Sequence, residues 1–118
     1  MDAFASFIDE GDETILFEPV FEFYYQQNEL FGGKTRYFSI DPPKGNSDKW
    51  TIDFKALRKC FTNKTKMILL NTPHNPIGKM YTEQDIHEFI SILKDFPNVL
   101  VLSDEVACLL LIFISLLC

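Results

Sequence analysis

The residues best placed to do chemistry are two polar groups at the ends of apolar runs. Asn75 lies in Leu70-Asn71-Thr72-Pro73-His74-Asn75-Pro76-Ile77-Gly78-Lys79, and Asp104 follows it by 29 residues in Leu102-Ser103-Asp104-Glu105-Val106. The runs before them read as buried strands. Polar residues at the ends of adjacent buried strands are where α/β proteins place ligands. A carboxylate at such a position is costly unless paired. A protonated ring nitrogen is a suitable partner, through a charge-assisted hydrogen bond of about 1.5–3 kcal/mol. Glu105 is an equal candidate for that role, and the structural alternative is an Asp that caps the next turn. The Asn75 amide can donate to a phenolate-like oxygen, or simply start a turn, as Asn-Pro commonly does. Phe21, after Glu18-Pro19-Val20, can cover a planar ring or fill the core.

Other chemistry-bearing residues are weaker candidates. His74 has no partner at metal-ligand spacing and reads as a loop or supporting residue. Lys79, after Gly78, has no Ser-x-x-Lys context and is expected to face solvent. Gly32-Gly33 matches neither a dinucleotide nor a Walker-type phosphate loop.

These side chains need elements to hold them. Met1 to Ile8 reads as the end of a helix and Gly11-Asp12 as a turn. Thr14-Ile15-Leu16-Phe17 is a strand stopped by Glu18-Pro19. Phe21, Tyr24, Tyr25, and Leu30 or Phe31 have helical spacing, ended by Gly32-Gly33. Thr35 to Ile40 is rich in β formers. Asp53 caps a short helix with Phe54, Leu57 and Phe61 on one face. Lys66 to Leu70 is a continuous apolar strand, as expected when both faces are covered. Thr82-Glu83-Gln84-Asp85 has the form of a capping box. Ile86, Phe89, Ile90 and Leu93 then recur at i, i+3, i+4 and i+7, which predicts an inward helical stripe. Val99 to Leu102 is the fourth strand. Strand and helix alternate, so the expected fold is α/β, a mostly parallel sheet with helices on both faces.

Composition narrows the function classes. The chain has 118 residues and 47% hydrophobic content, with a formal charge of -6. Eleven scattered basic residues do not make a nucleic-acid surface. Three cysteines, Cys60, Cys108 and Cys118, fit a reducing compartment and no metal cluster. The acidic N-terminus has no secretory or mitochondrial leader pattern. Val106 to Cys118 is apolar except for Ser115, but a bilayer span needs roughly 17–25 residues, so no membrane partner is expected.

Taken together, Asp9-Glu10-Gly11-Asp12-Glu13, Phe17-Glu18-Pro19-Val20-Phe21, Lys64-Thr65-Lys66, Asn71 to Lys79 and Ser103-Asp104-Glu105-Val106 resemble a known family. They are similar to the large domain of fold-type I, pyridoxal-phosphate-dependent aminotransferases of classes I and II. Within it the kynurenine aminotransferase and cysteine-conjugate β-lyase group is the nearest pattern. The resemblance implies a strand order of 2-1-3-4 and a cis Asn75–Pro76 peptide. It implies pyridoxal 5'-phosphate as cofactor, with Phe21 stacked on the ring, Asn75 on the phenolic oxygen and Asp104 on the pyridinium nitrogen. It also implies amino acid and 2-oxo acid substrates, kynurenine among them, a homodimer in the complete protein, and a cytoplasmic or mitochondrial location.

Departures from the pattern shape further expectations. Residues 1–106 would be a partial large domain and residues 107–118 an apolar tail unrelated to the family. Ala107 stands where the family has a Tyr. The Gly-rich phosphate turn, the Schiff-base lysine and the phosphate- and substrate-binding arginines are not matched, so no catalytic residue is assigned and the 118 residues are expected not to transaminate. A fragment from a partial gene model or truncated transcript is the leading expectation. The alternative is a non-catalytic truncated protein that associates with a full-length subunit.

Overall fold

A computed structural model describes residues 3–106 of the chain. In chain order the elements are α1 (Ala3–Phe7), β1 (Glu13–Glu18), α2 (Glu22–Leu30), β2 (Lys34–Ser39), α3 (Phe54–Cys60), β3 (Thr65–Asn71), α4 (Glu83–Leu93) and β4 (Leu100–Asp104). The four strands form one sheet in the order β2-β1-β3-β4, and every pair is parallel. This is the expected α/β architecture and strand order. The chain switches direction of travel between β1 and β3, where open parallel sheets form their ligand crevices.

Alternation along each strand divides the core between two faces. Ile15, Phe17, Ile68 and Leu70 point to one face and meet Leu57 and Phe61 of the α3 segment and Phe89 and Ile92 of α4. Leu16, Met67 and Leu69 point to the other and meet Phe4, Ile8, Tyr24, Tyr25 and Phe31 of the α1 and α2 segments. The first face is largely aromatic. Phe89 alone meets Phe17, Phe54 and Tyr81 edge-on at 5.1–5.9 Å, and Phe61 stacks on Phe96 at 4.7 Å. Such pairs contribute about 0.5–1.5 kcal/mol each beyond burial.

Local signals set the element ends. The Asp53 side chain accepts from the Ala56 N–H at 3.0 Å and opens α3. Thr82 and Asp85 form a reciprocal capping box at the start of α4. Gly32, at φ 83°, ends α2 in the left-handed region that L residues disfavour.

The stripe predicted for α4 is turned from its expected position. Phe89 and Ile92 are buried, but Ile86 and Ile90 are 39% and 46% exposed. Asp85 lies inward instead, because it must reach both the cap and Lys79. On α2, Phe31 packs inward and Leu30 is exposed. Among the described residues β4 is a sheet edge, with Val101 partly exposed. The tail expected over 107–118 lies outside the described residues, as do Cys108 and Cys118. No helix among the described residues is long and apolar enough to cross a membrane.

Candidate functional site

The carboxyl edge of the sheet brings three chain segments together. β1 ends at Glu18, and its continuation turns through the cis Glu18–Pro19 bond to Phe21, the residue before α2. β3 ends at Asn71 and β4 at Asp104, and these two residues face each other in register. The Asp104 backbone carbonyl accepts from the Thr72 N–H at 2.9 Å and from Asn71 Nδ2 at 3.2 Å. Asn71 Oδ1 then accepts the Asn75 N–H at 2.6 Å. The loop after β3 is thereby hung from the last residue of β4. It closes on itself through His74 N–H to Lys79 O at 2.8 Å and Gly78 N–H to His74 O at 2.6 Å. The Asn75–Pro76 bond is cis, as the resemblance implied, and so is Thr72–Pro73.

Phe21 and Asp104 line one cleft of about 580 Å³. Phe21 is 43% exposed, which excludes it from the core and leaves its ring available to a ligand. The Asp104 carboxylate is half-buried and partnered on both oxygens. Tyr24 Oη donates to Oδ2 at 2.5 Å, and the Val106 N–H donates to Oδ1 at 3.1 Å. Burial, then the hydrogen bond to Asp104 and its negative charge, push the Tyr24 phenol far above the usual tyrosine range. The Tyr24 hydroxyl is therefore a protonated donor at neutral pH. Tyr24 also meets the Phe21 ring edge-on, with centroids 5.5 Å apart. Glu105, the equal candidate by sequence, instead accepts from Ser103 Oγ at 2.8 Å and is exposed.

Asn75 is at the same edge but is not brought into this cleft. Its side chain is exposed, and only its backbone is tied to Asn71. His74 is the buried member of the loop, 4% exposed, and helps line a small hollow behind Phe21 with Tyr24 and Asn71. Burial holds its imidazole below the usual value; the Phe17 backbone opposes this and the Lys79 charge adds to it.

Lys79 corrects the expectation of a solvent-facing lysine. Its side chain is 8% exposed and pairs with Asp85 at 3.0 Å. For Asp85, burial alone would raise the carboxyl, but the Thr82 backbone N–H and Lys79 outweigh it and hold it below its usual value. This pair borders a hollow of about 620 Å³ on the other side of the β3–α4 loop. There the Lys79 and Asp85 charges satisfy each other, and the other charged lining residues, Asp48, Lys49 and Glu88, are exposed. No lysine lines the Phe21–Asp104 cleft among the described residues.

Sequence reading missed Tyr24, Asn71 and the depth of His74. Tyr24 was visible only as one position of a helical stripe, because its partner Asp104 is 80 residues away.

One half-buried carboxylate beside one exposed aromatic ring suits a flat, cationic heteroaromatic ring. The carboxylate can accept from a protonated ring nitrogen and Phe21 can cover the ring face.

Comparison with known proteins gives a consistent result. The aminotransferase class I and II family profile matches residues 2–106. Bna3p from Saccharomyces cerevisiae is 44% identical over 105 residues, which cover 84% of this chain and 23% of the yeast protein. Its crystal structure superposes with a TM-score of 0.80 over 86% of this chain and 25% of its own. The kynurenine–oxoglutarate transaminase of Dictyostelium discoideum is 39% identical over 115 residues, 88% of this chain and 26% of the relative. The crystal structure of cystalysin from Treponema denticola, which contains a pyridoxal 5'-phosphate cofactor, shares the fold at a TM-score of 0.76 and 24% identity, over 86% of this chain and 26% of its own. The chain thus spans about a quarter of the length of the curated relatives it matches.

Proposed function

Because this chain belongs to the class I and II aminotransferases, we propose that its cleft is part of a pyridoxal 5'-phosphate site in an enzyme that moves an amino group between an amino acid and a 2-oxo acid. Kynurenine is the favoured amino donor, by similarity to relatives that carry that name. The observation that carries the reading is the single cleft shared by Phe21 and the half-buried Asp104.

In this reading each residue has a bounded task. Phe21 covers one face of the pyridine ring and excludes water from it. Asp104 accepts the ring N–H and keeps the proton on nitrogen. Asn75, on the loop held by Asn71, supplies an amide for the phenolic oxygen after its side chain turns toward the cleft. When bound, pyridoxal phosphate supplies an electron sink for the bond broken at the substrate α-carbon. Transfer also needs a base at that carbon, and no lysine reaches the cleft from the described residues. The 118 residues alone are therefore assigned a binding role and no amino transfer. Residues 1–106 are assigned to the large domain of a longer, homodimeric, cytoplasmic or mitochondrial enzyme, and residues 107–118 to a segment outside the family pattern.

Sequencing transcripts across the codons for Val106 and Ala107, then assaying the encoded product, tests this. The expected result is a reading frame that continues the family pattern. Its product should transfer the amino group of kynurenine to 2-oxoglutarate, and Asp104→Ala should remove that activity. The reading fails if no transcript extends the pattern and the 118-residue chain shows no affinity for pyridoxal phosphate.

A further inference from the structure

We propose that Tyr24 is a positioning residue for the cleft: its hydroxyl fixes the plane of the Asp104 carboxylate while its ring fixes Phe21, so that one side chain sets both contacts to a bound heteroaromatic cation. This deepens the reading above and rests on it.

The geometry is specific. An ionised carboxylate has about four lone-pair sites on two oxygens. Tyr24 Oη takes one on Oδ2 and the Val106 N–H takes one on Oδ1. With both oxygens held, the group cannot rotate about its Cβ–Cγ bond, and its remaining lone pairs keep a fixed direction. Val106 alone would leave that rotation open, since one hydrogen bond makes a hinge and two make a plane. The Tyr24 ring is in edge contact with Phe21, with an interplanar angle of 79°. Its backbone N–H donates to the Phe21 carbonyl at 3.1 Å, so the two residues share the first turn of α2. Four residues on, the buried Asn28 fastens α2 to β1 and β2. Tyr24 therefore stands on a helix whose position is set independently of the cleft.

Preorganisation of this kind shows as affinity and as ligand geometry. The probe is pyridoxamine 5'-phosphate carrying 15N in the ring. It has no aldehyde, so it cannot label surface lysines. Titrated into the 118-residue chain, Tyr24→Phe is expected to raise its dissociation constant about tenfold, because a carboxylate free to rotate must be ordered on binding. The bound ring-nitrogen shift should move toward that of the free compound, as the hydrogen bond to Asp104 lengthens. Tyr25→Phe removes a hydroxyl from a neighbouring residue packed on the same face and should change neither readout. A role confined to packing would leave the nitrogen shift where it is. The inference is overturned if Asp104→Ala abolishes binding while Tyr24→Phe matches the unmodified chain; the cofactor reading then stands without it. If the unmodified chain and Asp104→Ala bind alike, or neither binds, the inference falls, and the cofactor reading then stands or falls on the transcript test.

Discussion

Helix α2 meets the sheet through two polar side chains four residues apart, and the two ends do opposite work. At the carboxyl-edge end, Tyr24 reaches Asp104 of β4. At the other end, Asn28 accepts from Thr14 Oγ1 at 2.8 Å and donates to Thr35 Oγ1 at 3.1 Å. Asn28 and Thr14 are wholly buried, and every partner is protein. The Tyr24–Asp104 pair borders a cleft and keeps acceptor capacity facing it. Both pairs link distant segments, so linkage alone does not mark function. The difference lies in whether the polar capacity is closed within the fold or left open to a ligand.

Substitutions at the closed end should act on stability. Asn28→Ala leaves the Thr14 hydroxyl without its acceptor and opens a gap under α2. The expected loss is about 3 kcal/mol in urea unfolding. A loss comparable to that of a surface substitution would erase the contrast. Gly33→Ala should follow at about 2 kcal/mol, by overpacking. A Cβ at Gly33 would run into the Asn28 side chain and come within 2.8 Å of Ile8 Cγ2. A thermal midpoint equal to that of the unmodified chain would mean that Asn28 can move, and so is not fixed as argued.

At the open end the effects on folding should be smaller. Tyr24→Phe is expected to cost below about 1 kcal/mol, because water can replace the hydroxyl at a half-buried carboxylate. A cost as large as that of Asn28→Ala would place Tyr24 among the closed, structural groups. His74 supplies the finest distinction, as it is buried at the same edge without lining the main cleft. Its folded-state value lies below the ordinary 6.5, so the unfolded chain takes up a proton first as pH falls. The sign is a contribution to stability present above about pH 6.5 and lost on acidification below it. His74→Gln should flatten that part of the urea-midpoint curve between about pH 8 and 5.5. An unchanged slope would show that the imidazole charges freely in the fold.

Much of the fold was legible because local chemistry and burial agree. The Asp53 cap, the Thr82–Asp85 box and the two-faced strands each satisfy a local rule that the sheet also requires. The α4 stripe was misread because Asp85 answers to a cap and a buried lysine at once, and this turns Ile86 and Ile90 outward. Lys79 was misread for the same reason, since its partner is a carboxylate whose inward direction periodicity assigns to an apolar side chain. At the cleft, the types and spacing of Phe21 and Asp104 could be read, but Tyr24 could not. A contact across 80 residues exists only after the strand order places β4 opposite the start of α2. Asn75 was identified by type, and the fold ties its backbone while leaving its amide exposed.

The anchoring of the β3 loop carries one more consequence. Asn71 and Thr72 hold the Asp104 main-chain carbonyl, while Tyr24 and Val106 hold its carboxylate. Support for the loop and reactivity in the cleft thus use different atoms of one residue. A change of side chain at position 104 can retune or extinguish the cleft without unhooking the loop. The position is free to evolve as an interchangeable fitting on a fixed mount.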